Sequence, residues 1–154
     1  MTAEQMWADF TAAYGIKDTD YDAWAFGADA DILAHLVLAG VKTATSSALP
    51  GYALEGEPLP SAGEYSVILN GRDEAVCVIQ TERVSIAPYR EIGAEHARLE
   101  GEGDMSLEYW RQAHEAFFAQ ELAAMGLVFT PDMPVVCEEF RLVWPKESRD
   151  INVD

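Results

Sequence analysis

Apolar positions in this chain switch between two spacings, and the switches mark out its elements. Trp7, Phe10 and Tyr14 recur at i, i+3 and i+7, the spacing of one helical face. Thr2 and Gln5 stand ahead of them at capping-box spacing and Gly15 offers a left-handed stop, so a helix is predicted between Thr2 and Gly15. A second predicted helix starts at Asp29 or Asp31, turns Ile32, Leu33, Leu36 and Val37 to one face and stops at Gly40. Residues 21–27 between the two are rich in aromatics but follow no period, and read as irregular.

Strand-like stretches follow. Residues 42–47 are small and β-tolerant and predict a strand, whereas residues 49–62 hold Pro50, Pro58 and Pro60 and read as a loop. Residues 65–69 and 75–80 are apolar strands flanking Asn70-Gly71, a strong hairpin signal. Another strand is expected over residues 84–86, ending near Pro88. Residues 92–99 read as helix, followed by the acidic loop Glu100-Gly101-Glu102-Gly103-Asp104. A long helix then opens near Ser106, repeats Leu107, Trp110, His114, Phe117, Phe118 and Leu122 at helical spacing, and closes at Gly126. Residues 135–143 form the last predicted strand. No internal repeat or linker divides the chain, so the expectation is a single α+β domain over residues 1–154, with a polar, frayed tail from about Lys146.

Composition narrows the partners. The chain has 154 residues, 49% of them hydrophobic and 24% charged, enough to bury one core. No apolar run approaches the roughly 18 residues that span a bilayer, and the N-terminus lacks a basic segment leading into an apolar one, so no membrane span and a cytoplasmic location are expected. Acidic residues outnumber basic ones 27 to 10, for a formal net charge of -17. Long nucleic acid is therefore a disfavoured partner, because polyphosphate binding relies on Lys and Arg displacing counterions; a small or weakly charged ligand meets no such penalty. Cys77 and Cys137 sit in apolar strands and read as buried free thiols.

The distinctive segments are Gly40-Val41-Lys42-Thr43-Ala44-Thr45, the acidic loop, Ser106-Leu107-Glu108-Tyr109-Trp110-Arg111 with His114, Trp24-Ala25-Phe26-Gly27 and the closing strand Cys137-Glu138-Glu139-Phe140. In this order and spacing they resemble the larger bacterial members of the ASCH family, from about Trp7 to Val143. The resemblance implies a PUA-like small β-barrel, with helices packed outside and inserted between strands. It also implies a cleft beside the lysine strand and a link to RNA metabolism, but no single activity. Some small members hydrolyse the acetyl amide of 4-acetylcytidine with a Lys, a Thr and a Glu; others resemble metal-assisted ribonucleases. On that resemblance the catalytic residues are Lys42, Thr45 and Glu102, with Glu100 or Asp104 as alternatives for the carboxylate.

Two schemes serve those residues. Lys42 could take the Thr45 proton as a neutral amine, or remain charged and stabilise an oxyanion while Glu102 carries the proton; the adjacent carboxylate favours the second. Because residues i and i+3 of an extended strand face opposite sides, bringing Lys42 and Thr45 together needs a turn or bulge. Trp24 and Phe26 fall outside any periodic face and are candidates for stacking on a base. Arg111 could reach the ligand or pair with Glu108 or Glu115, and His114 reads as a buried, hydrogen-bonded residue. The expected function is recognition of a nucleobase or nucleoside, as a hydrolase of an acylated pyrimidine nucleoside, with no cofactor. The alternatives are a ribonuclease on single-stranded RNA, holding Mn or Mg at Glu100, Glu102 and Asp104, and a non-catalytic RNA- or ligand-binding regulator.

Overall fold

Thr2 opens helix α1, Ala3–Tyr14, through both bonds of its capping box with Gln5, and Gly15 ends it at φ 65°. Helix and glycine stand where their spacing predicts. The computed structural model describes residues 1–145, and the tail expected from Lys146 lies outside them.

The elements that follow are strand β1 (Tyr21–Ala25), helix α2 (Ala30–Leu38), strand β2 (Ala44–Ala48), helix α3 (Leu49–Glu55), and strands β3 (Tyr65–Leu69) and β4 (Ala75–Pro88). A short 3-10 turn at Tyr89–Glu91 leads to helices α4 (Ala94–Glu100) and α5 (Leu107–Ala124) and strand β5 (Pro134–Trp144). The strands form one curled sheet in the order β1-β3-β4-β5-β2. Among the described residues only the β1–β3 pairing is parallel. β1 and β2 are its two edges, leaving a half-barrel with an open mouth.

Several local expectations change. Residues 21–25 are not irregular: they pair along their whole length with β3, Trp24 opposite Ile68. An edge strand needs a partner more than it needs a period, which is why alternation failed to show it. Residues 49–55 are helical despite Pro50, because proline is tolerated in a helix's first turn. In α2 the buried residues are Ala34 and Val37, while Ile32 is 62% exposed. The strands expected at 75–80 and 84–86 are one 14-residue strand, bent by register shifts at Val78/Ile79 and Thr81/Arg83. Asn70-Gly71 does lie between β3 and β4, but in a longer connection in which the Asn70 side chain accepts from the amides of Arg72 and Glu74.

Side chains alternate across a sheet, so each face has its own core. Val67 and Val78 pack under α1 with Met6 and Phe10. Ile68, Cys77, Ile79 and Phe140 pack under α2 with Phe26, Ala34 and Val37. Beyond them, Ala48, Val135 and Cys137 pack against Trp110, Phe118 and Leu122 of α5. Both cysteines are free and buried.

Candidate functional site

Lys42 lies in the short connection between α2 and β2, and its backbone N–H donates to the Leu36 carbonyl. Its side chain runs inward and is fully buried. The ammonium donates to Glu102 Oε2 at 2.7 Å, to Glu100 Oε1 at 3.1 Å and more weakly to the Glu100 carbonyl at 3.5 Å. Three donors meet three oxygens, which is the full capacity of a protonated lysine. The Phe26 ring lies 5.2 Å away on another side.

Gly101 makes this clamp possible. It ends α4 at φ 69°, and a Cβ there would stand 2.7 Å from the Val41 carbonyl oxygen. Only a glycine both takes the left-handed turn and lets the loop press on residue 41. Glu100 and Glu102, on either side of that turn, then reach one ammonium.

Glu100 is the hub. It is 1% exposed, and its Oε2 accepts from Trp110 Nε1 at 2.7 Å and from Ser46 Oγ at 2.5 Å, with His96 Nε2 at 2.8 Å. His114 Nε2 lies 3.5 Å from Oε1. Burial pushes the Glu100 carboxyl up, but Lys42, with His114 and His96, outweighs it and holds the group well below the usual carboxylate range. His114 stacks on Trp110 at 4.3 Å and its Nδ1 bonds to the Trp110 carbonyl. Burial pulls its pKa down, yet the Glu100 bond and charge carry it above the ordinary value. Ser46 and Glu100 both sit on Nε2 of His96; a serine–histidine–carboxylate relay needs one partner on each ring nitrogen, so these three residues are not one.

Above this network opens a cavity of about 840 Å³. All five strands contribute to its lining, with Asp22, Thr45, Ser66, Thr81 and Glu138 among the residues. Trp24, Phe26, Tyr52, Tyr109 and Phe117 add aromatic surface. Gly27 admits Phe117, whose Cζ lies only 2.9 Å from where a Cβ would be. Glu138 accepts a 2.6 Å bond from Thr81 Oγ1. Burial is the largest influence on its carboxyl and pushes it up, Thr81 opposes, and the charges of Glu64 and Asp22 add to the rise.

The structure thus brings Thr45, Glu102, Trp24 and Phe26 to one cavity. Lys42 lies behind the cavity wall, bonded to the two glutamates. Trp24 and Phe26 also pack on each other, edge to face at 5.0 Å. Arg111 does not line the cavity: its guanidinium donates to the carbonyls of Arg90 and Ile92 and lies over the Tyr89 ring, pinning the turn before α4. His114 is hydrogen-bonded as expected and also reaches the cavity. Sequence reading missed His96, Ser46 and Trp110 as partners of Glu100, and Glu138. His96 and Glu100 stand four apart, which places them on one helix face, so that pair carried a signal; the others meet only through the fold.

Glu100, Glu102 and His114 offer ligand atoms within 4.8 Å of one another. Mg or Mn would suit two carboxylates, but the Lys42 ammonium already occupies bonding positions on both. A second cation there would face that charge, so the donor set as built does not fit a divalent ion. Asp104, the third acid of the loop, is fully exposed and instead accepts from the Ser106 amide, at the residue that caps α5.

Comparison with known proteins agrees with this architecture. Residues 22–144 match the family model of the ASCH domain. An ASCH domain from Lactobacillus crispatus JV V101 superposes with a TM-score of 0.85 at 30% identity, over 90% of this chain and 92% of that one. Protein EF3133 from Enterococcus faecalis V583 does so with a TM-score of 0.84 at 38% identity, over 91% and 86% of the two chains. Among functionally curated proteins nothing matches. With its curled sheet, its lysine clamp and a family match over most of its length, this chain belongs to the ASCH domain family.

Proposed function

We propose that this PUA-like domain binds an uncharged nucleoside in the 840 Å³ cavity and hydrolyses the acyl amide of an acylated pyrimidine such as 4-acetylcytidine. One observation carries the reading: a partly exposed glutamate, Glu102, is held by a buried ammonium at the edge of an aromatic-walled cavity that also presents Thr45. Aromatic walls suit the faces of a base. An acidic lining suits a ligand without phosphate.

In this scheme Glu102 takes the proton from the attacking hydroxyl, Thr45 or a water that it orients. The oxygen adds to the acyl carbonyl, the C–N bond breaks, and Glu102 returns the proton to the departing base amine. If Thr45 is the nucleophile, water then hydrolyses its ester and releases the carboxylic acid. Lys42 has no free donor for an oxyanion and serves as a positioning residue: it fixes the Glu102 carboxylate and offsets the charge of two adjacent acids. The neutral-amine scheme is disfavoured because each of its donors already has an acceptor.

The test is acetate release from 4-acetylcytidine without added metal. Glu102→Gln and Thr45→Ala should each lower kcat by about 10²-fold or more, the scale of losing a general base or nucleophile. Cleavage of single-stranded RNA that requires Mn or Mg would replace this reading with a ribonuclease. Binding of nucleoside or RNA with neither reaction would make the domain a ligand-binding regulator.

A further inference from the structure

One sheet face is divided in two. Its apolar half, Ile68, Cys77, Ile79 and Phe140, is covered by α2 and Phe26. The other half is polar and crosses all five strands. Asp22 pairs with Ser66, Thr81 bonds Glu138, and Glu138 is the direct cross-strand partner of Thr45. Direct antiparallel partners project to the same side with Cβ atoms about 5 Å apart, so Glu138 and Thr45 stand side by side at the cavity wall. Polar groups on the inner side of a sheet cost stability unless they bond to something, and Ser66 and Thr81 are 6% and 2% exposed. Thr81 donates to Oε2 of Glu138, whose side chain lines the cavity, and a carboxylate with one such donor retains acceptor capacity.

The cavity's charge is one-sided as well. Its lining holds eight Asp and Glu side chains and no Lys or Arg. Apart from His114, whose ring is already engaged with Glu100 and the Trp110 carbonyl, a phosphate would find no cationic partner there and would be repelled by these carboxylates.

The geometry points to Glu138 as the residue that selects the base, accepting a hydrogen bond from a ring amino group, and to a ligand that carries no phosphate. The inference rests on the nucleoside reading of the cavity and adds which base edge is read and by what. A carboxylate accepts from the amino group of cytosine but meets oxygen with oxygen at the corresponding carbonyl of uracil. A site built to bond an N–H rejects the analogue without it because the buried acceptor is left unpaired.

Direct binding by calorimetry tests this independently of turnover, with cytidine, uridine and cytidine 5′-monophosphate as probes. Cytidine should bind more tightly than uridine and than its own monophosphate, each by about tenfold or more. Glu138→Gln keeps an oxygen for Thr81 and places an amide NH₂ that can donate to the uracil carbonyl, so it should narrow or reverse the cytidine-to-uridine ratio. Its circular dichroism and melting profile should show a folded protein. An unchanged ratio in the folded variant overturns the role of Glu138, and equal or tighter binding of the monophosphate overturns the exclusion of phosphate. Failure of all three probes to bind overturns the inference. Failure of 4-acetylcytidine to turn over while cytidine selectivity holds would overturn the hydrolase reading alone.

Discussion

Glu100 and Glu138 line the same cavity, yet their surroundings drive them in opposite directions. Glu100 is nearly sealed from solvent and is still held ionised, because a buried ammonium, an indole N–H, a serine hydroxyl and two imidazoles converge on it. Glu138 is less enclosed, but its burial is opposed by one hydroxyl donor alone and reinforced by other carboxylates, so its carboxyl is pushed up. Burial alone does not set the state of a carboxyl; the donors supplied to it do. The first arrangement is a scaffold with its bonding capacity spent. The second retains unspent capacity, which is the property a recognition site needs. Two acids whose environments push them apart are also how one cavity can contain both an anchor and a reader.

Breaking the anchor should have the largest effect. Glu100→Ala leaves Lys42 without its innermost carboxylate partner and leaves Ser46 and Trp110 without theirs, so a loss of about 3–5 kcal/mol is expected, measured by urea denaturation. A loss below about 1 kcal/mol would mean that the network is not a structural anchor.

Gly101→Ala tests the turn that joins the two glutamates to one lysine. The left-handed φ and the 2.7 Å approach to Val41 predict destabilisation, on the order of 1–3 kcal/mol. Because the turn also aims Glu102, acetate release should fall by more than the unfolded fraction explains. A fully active, merely less stable variant would detach the turn from the site.

The smallest effect is in the pH dependence. Glu100 is lowered by its partners, so its contribution is present above the unfolded value of about 4.3 and is lost as pH falls through the folded value. His114 is raised, so its contribution is present below about 6.5 and is lost as pH rises through its folded value. Glu138 is raised as well: folding favours its protonated form, and its ionisation costs stability as pH climbs. Glu138→Gln removes that cost. The stability of the variant relative to the unmutated protein, read by urea denaturation, should therefore rise as pH climbs above the unfolded value of about 4.3, by an amount on the order of 1 kcal/mol or less. A difference independent of pH would show that Glu138 carries no strained charge.

The chain's own pattern determined the parts governed by short-range rules. The capping box at Thr2, the stop at Gly15, the amphipathic period of α5 and the β3–β4 hairpin follow from residues within a few positions of one another. Lys42, Thr45 and the acidic loop were identifiable as candidates because their order resembles a family. Tertiary structure decided what no local rule could. β1 exists because β3 supplies its hydrogen bonds along its whole length. Which acid does what was also decided there. Glu100, Glu102 and Asp104 are near neighbours in sequence, but Gly101 turns the first two toward a lysine 58 and 60 residues away and leaves the third in solvent. Glu138 became a candidate only when sheet register placed it beside Thr45. A charge is defined by the donors around it, and those come from segments that meet only when the chain has folded.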